Sequence, residues 1–159
     1  MPSSVGGKFL AAIAEALAAT KLEAIVVGNV ASILNGAPVL TEDVDLLVRD
    51  TPRNRLKLRR FATLIGGSAP APISDLTGTE RIYGSTVPVD ILYDRLSPRL
   101  TFGSIRAHAE RLEILGARLT VASLADVIRA KEAADRPKDR AALPILRDTL
   151  AVKKAMGKW

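Results

Sequence analysis

Val26-Val-Gly-Asn-Val-Ala-Ser-Ile-Leu-Asn-Gly-Ala-Pro-Val-Leu-Thr-Glu-Asp-Val-Asp-Leu46 carries most of what decides the architecture. It begins inside the apolar run Glu23 to Val27, which has the length of a buried strand. Gly28 breaks that run. Val30, Ala31, Ile33 and Leu34 then give Asn29 to Asn35 the pattern of a short helix, stopped by the Asn35-Gly36 pair. Asp43 to Val48 reads as a second strand, whose alternation puts Asp43 and Asp45 on one face and Val44, Leu46 and Val48 on the other. The order is strand, glycine turn, helix, and a strand with two carboxylates pointing the same way.

Working outward, Phe9, Leu10, Ile13 and Leu17 mark an alanine-rich helix over Phe9 to Thr20. Arg53 to Ile65 reads as a basic amphipathic helix that runs into a Gly66 to Pro72 loop. Glu80 to Tyr83 and Val87 to Tyr93 read as a strand pair turned at Gly84-Ser85, followed by irregular chain around Pro98. Arg111 to Ile114 and Arg118 to Val121, joined through Gly116, suggest a hairpin, and Ser123 caps a helix to about Ala134. Pro137 restarts helical sequence toward Met156, with Pro144 expected to kink that segment or divide it in two. No repeat, linker or low-complexity tract marks a boundary, so residues 1–159 read as one domain.

Composition agrees with a folded unit: 48% of the 159 residues are hydrophobic and 25% charged, enough apolar material for one core. Lys and Arg number 23 against 17 Asp and Glu, a formal charge of +6 that favours polyanions, although no long basic run concentrates it. Absence of cysteine excludes disulfides, thiolate metal sites and cysteine nucleophiles, and fits a cytoplasmic setting. No apolar stretch reaches membrane-spanning length, and Met1 to Gly7 lacks a secretory pattern. His108, the only histidine, reads as a surface or local hydrogen-bonding group. Trp159 reads as a mobile terminus or a dimer contact. So few aromatic residues argue against base-stacking platforms and leave shape and phosphate contacts to any nucleic-acid binding.

The chemistry lies in the carboxylates. Same-face Asp43 and Asp45 repel unless a cation sits between them, and a hard divalent ion such as Mg2+ suits oxygen-only ligands. Val87-Pro-Val-Asp-Ile-Leu92 brings a third carboxylate, Asp90, out of another strand. If the two strands are neighbours, Asp43, Asp45 and Asp90 can hold one or two ions about 3.5 to 4 Å apart, as in-line phosphoryl or nucleotidyl transfer requires. Either strand alone also reads as solvated carboxylates. Gly28, between strand and helix, would turn backbone N–H groups toward a triphosphate. Lys131 falls on the buried stripe of Leu124, Val127 and Ile128, where it either snorkels to water or reaches phosphate oxygens.

These segments resemble the DNA polymerase beta-like nucleotidyltransferase superfamily, in particular the small bacterial branch with AbiEii-type and related toxin nucleotidyltransferases. The glycine turn, helix and D-x-D block, the Val87 to Leu92 strand, and Lys131-Glu-Ala-Ala-Asp-Arg-Pro-Lys-Asp139 carry the likeness in that order. It implies an α+β fold, a mixed β-sheet flanked by helices with a helical C-terminal segment over 123–156. It also implies an enzyme using Mg2+ or Mn2+ and a nucleoside triphosphate such as ATP. In that reading Asp43, Asp45 and Asp90 bind metal, and Asp90 activates the acceptor. Gly28 and Asn29 contact the triphosphate, Lys131 supports it, and Arg136, Lys138 and Asp139 order the site or hold substrate. The acceptor is expected to be tRNA or other RNA, a protein or a small molecule, and a cognate toxin or antitoxin is an expected partner. Asn29, Val39 and Ala142 depart from the family pattern, so the alternative is a catalytically inactive nucleotide- or RNA-binding regulatory module.

Overall fold

The computed structural model describes residues 5–73 and 78–157, which leaves Trp159 outside the described residues. Along the chain run α1 (Gly7–Thr20), β1 (Ala24–Val27), α2 (Gly28–Leu34), β2 (Val44–Val48) and α3 (Pro52–Leu64). Next come β3 (Ala71–Pro72), β4 (Glu80–Ile82), β5 (Val89–Tyr93), β6 (Arg95–Ser97), β7 (Leu100–Thr101) and α4 (Phe102–His108). β8 (Glu110–Ile114), β9 (Ala117–Val121), α5 (Leu124–Ala134) and α6 (Pro137–Ala155) complete it.

One seven-stranded sheet has the order β3-β4-β5-β2-β1-β9-β8. It is mixed: β2 runs parallel to β5 and β1 parallel to β9, while β1–β2, β4–β5, β3–β4 and β8–β9 are antiparallel. The central strands are apolar because helices cover the sheet. Ile25, Val26, Val44, Leu46, Leu47, Val48, Val89 and Ile91 are all buried, and each such side chain contributes roughly 1.5–3 kcal/mol. α1 packs on α3 and β9, and α2 bridges β1 and β2 to α5, which packs on α6. This is the α+β arrangement expected from the sequence.

The structure corrects some details. Within the Gly66 to Pro72 loop, Ala71–Pro72 pairs with Arg81 and Glu80 as a short edge strand. The irregular chain around Pro98 is a two-stranded ribbon followed by α4, whose N-terminus is held by Thr101 and Ser104 bonding each other's backbone. Pro144 lies inside α6, a single helix of 19 residues, and does not divide it. Leu143 and Leu146 are buried on either side of it, so tertiary packing outweighs the lost backbone donor.

Candidate active site

Strand register builds the site. Val27 pairs with Asp45 across β1–β2, Asp45 with Asp90 across β2–β5, and Asp90 with Arg81 across β4–β5. One row across four neighbouring strands therefore carries Val27, the residue before the glycine turn, then two carboxylates and an arginine. Asp43 stands one residue before β2, on the same side as Asp45. Carboxylate oxygens of Asp43, Asp45 and Asp90 come within 4.8 Å of one another.

That proximity has an electrostatic cost. Burial first, then the charges of Asp43 and Asp90, push the Asp45 carboxyl up to about 7, while Lys131 and Lys138 pull against the rise. Three repelling carboxylates with oxygen donors only are a donor set that fits a hard divalent ion.

Gly28 has φ +66°, and a Cβ there would lie 2.2 Å from Asp45 Oδ2. Glycine is needed for the left-handed turn and also to leave the Asp45 carboxylate its place. The backbone of Gly28 and Asn29 opens α2 on the same cleft.

From the helical side come the cations. Lys131 on α5 is largely buried, and its Nζ lies 3.7 Å from Asp139 Oδ1, the partner its place on the stripe demands. Burial lowers the Lys131 pKa, with Asp139 and Asp45 opposing. Asp139 is fully buried at the start of α6. It accepts hydrogen bonds from Arg136 Nε at 2.6 Å, Arg136 Nη2 at 3.1 Å and the Arg136 backbone N–H at 3.1 Å. Burial works to raise the Asp139 pKa, but these bonds outweigh it and hold the group below the usual carboxylate range. The left-handed residue Asp135 between α5 and α6 makes the tight turn that brings Lys131 and Asp139 together.

A cleft of about 770 Å³ is lined by Gly28, Asn29, Asp43, Asp45, Asp90, Lys131, Arg136 and Lys138, all the residues singled out in the sequence for catalysis, metal or nucleotide. Val39 and Ala142 line it too. Asp139 stands behind the wall and holds Lys131 and Arg136.

Sequence reasoning missed Arg81. Its Nε donates to Asp90 Oδ1 at 2.5 Å and its Nη2 to Asp90 Oδ2 at 2.9 Å, with Asp43 Oδ2 at 3.4 Å from Nη2. The only signal available was an arginine in a strand next to the Asp90 strand. Asp126 was missed as well: it lines the cleft, is 2% exposed, and is held by His108 and Arg129. His108 thus serves as a local hydrogen-bonding group.

No protein-family model and no curated protein sequence matches this chain. Solved structures match its fold. The crystal structure of ANT(2″)-Ia in complex with adenylyl-2″-tobramycin aligns with a TM-score of 0.65 at 15% identity, covering 96% of this chain and 93% of that one. TM1012 from Thermotoga maritima, described as a candidate nucleotidyltransferase, gives 0.64 at 19% identity over 86% of this chain and 89% of its own. An antigenic nucleotidyltransferase-like protein from Paracoccidioides brasiliensis gives 0.61 at 18% identity over 92% of this chain and 76% of its own. The chain has the fold of these nucleotidyltransferase structures, a mixed sheet flanked by helices.

Proposed function

We propose that this chain is a metal-dependent nucleotidyltransferase that moves a nucleotide from a nucleoside triphosphate onto an acceptor hydroxyl. The observation that carries this reading is the convergence of Asp43, Asp45 and Asp90 beside the Gly28 turn. A divalent ion, Mg2+ or Mn2+, held by the three aspartates would polarise the phosphate and neutralise charge. Gly28 and Asn29 present backbone N–H groups to the triphosphate, and Lys131, Arg136 and Lys138 give it a cationic wall. Asp90 takes the acceptor hydroxyl's proton on a carboxylate oxygen. The acceptor oxygen then bonds to the α-phosphorus, the bond from that phosphorus to the bridging oxygen breaks, and pyrophosphate leaves with the electron pair.

RNA, tRNA first, is the acceptor class that the net charge of +6 supports. ANT(2″)-Ia was captured with an adenylylated tobramycin, a molecule bearing several amines. Among the described residues, the cleft offers such an amine, besides the metal-site aspartates, the carboxylate of Asp126, which is buried and paired with His108 and Arg129. A role as the toxin of a toxin and antitoxin pair, with a cognate partner protein, rests on the sequence resemblance.

The test is pyrophosphate release from each nucleoside triphosphate with Mg2+ or Mn2+, in the presence of RNA or protein fractions of a cell extract. Release by the wild type that disappears in an Asp43→Ala, Asp45→Ala variant supports transfer and assigns the acceptor fraction. Metal-dependent nucleotide binding without release, for every fraction, makes the chain a binding module instead.

A further inference from the structure

Arg81 lies where a metal ion would have to compete. Strand register sets it directly opposite Asp90, and its guanidinium fork donates one hydrogen bond to each Asp90 oxygen while Nη2 also reaches toward Asp43. Two of the three carboxylates that fit a divalent ion therefore already have a cation. The strand beneath is anchored independently. On the opposite face of β4, Glu80 accepts a hydrogen bond from Tyr93 Oη on β5, and Arg55 of α3 lies 3.6 Å from Glu80 and 4.3 Å from the Tyr93 ring centroid. The Arg81 side chain is 27% exposed and opens on the cleft, with the Tyr83 ring centroid 5.9 Å away. The guanidinium thus faces the cleft from a strand whose other face is held by Glu80, Tyr93 and Arg55.

We propose that Arg81 is an internal counter-cation, which holds Asp90 and Asp43 in the metal-free protein and turns its fork to the polyphosphate when a nucleoside triphosphate arrives with its divalent ion. This rests on the metal and nucleotide reading given above. A guanidinium and a divalent ion on the same carboxylate repel each other, so metal alone must displace Arg81 at a cost. The metal–triphosphate complex brings both a cation for the carboxylates and phosphate oxygens for the arginine, whose planar fork suits either anion. Arg81 thereby couples metal binding to nucleotide binding, and the coupling is reciprocal.

Mn2+ binding, followed by the loss of the free-ion electron paramagnetic resonance signal, tests this. It is measured with and without an equimolar mixture of α,β-methylene analogues of ATP, GTP, CTP and UTP. Arg81→Met, which keeps an unbranched stem, is expected to bind Mn2+ alone about tenfold tighter than wild type. The tightening that the analogues confer should shrink by a similar factor. Arg81→Lys, which keeps the charge without the fork, should fall between the two and guards against a folding defect in the first variant. Equal or weaker Mn2+ binding by folded Arg81→Met, with Arg81→Lys unchanged or weaker, overturns the proposal and leaves Arg81 as a residue that orients Asp90. If wild type and both variants ignore Mn2+ with and without the analogues, the metal site itself is wrong, and the function proposed for it falls too.

Discussion

Replacing Asp45 by Asn should stabilise the metal-free protein. The Asp45 carboxyl is pushed from 3.8 to about 7 by burial and by Asp43 and Asp90, which corresponds to about 4 kcal/mol between its two protonation states. Screening at the solvent side of the cleft trims this to about 2 kcal/mol. Since the folded-state value lies above the unfolded one, the carboxyl destabilises nothing below about pH 4. The penalty grows as pH rises toward 7 and is constant beyond that. Thermal melts in EDTA from pH 4 to 8.5 should therefore show Asp45→Asn level with wild type at the acid end. At pH 8 the variant should melt about 4–8 °C higher. Added Mg2+ or Mn2+ should raise the wild-type midpoint more than that of the variant. A gap that is absent at pH 8, or independent of pH, would refute this view of the three carboxylates as a repelling cluster.

Gly28→Ala forces a Cβ to within 2.2 Å of Asp45 Oδ2 at a positive φ. Urea titration should show a loss of about 1–2 kcal/mol from the left-handed backbone, with Mn2+ affinity falling as Asp45 is displaced. Asp139→Asn removes the buried charge, and one of the two acceptor oxygens, shared by Lys131 and Arg136 and should cost about 3 kcal/mol in denaturant unfolding. Because the folded Asp139 pKa is depressed, its contribution is present above about pH 4 and lost as pH falls through the folded value. The variant should flatten that acid limb in pH-dependent melts. Pro144→Ala restores a backbone donor inside α6 and should raise the melting midpoint by about 2–4 °C, about 1 kcal/mol.

Much of this was legible in the sequence because strands alternate. Once Asp43–Val48 and Val87–Tyr93 are seen as strands, the face of each that carries its aspartates follows, while the β2–β5 pairing that brings Asp45 beside Asp90 comes from the fold, and Gly28 between an apolar run and a helix marks the turn. Lys131 stood out on its apolar stripe, but its contact with Asp139 depends on the α5–α6 turn and comes from the fold. Arg81 was hidden because its meaning depends on the β4–β5 register, which the segment 83–88 sets and no residue pattern in either strand reveals. β3, β7 and α4 are too short to show a period. Pro144 does not divide α6 as one of the two expected outcomes had it, because the buried Leu143 and Leu146 keep that helix on α5.

The most direct measurement compares two labels in one reaction, with the wild-type protein, Mg2+ and the responsive acceptor fraction. Transfer of the α-phosphorus label to the acceptor, with the γ label recovered in pyrophosphate, is the expected result. Transfer of the γ label would make the cleft a phosphoryl-transfer site, and transfer of neither would contradict the assignment of Asp43, Asp45 and Asp90 to catalysis.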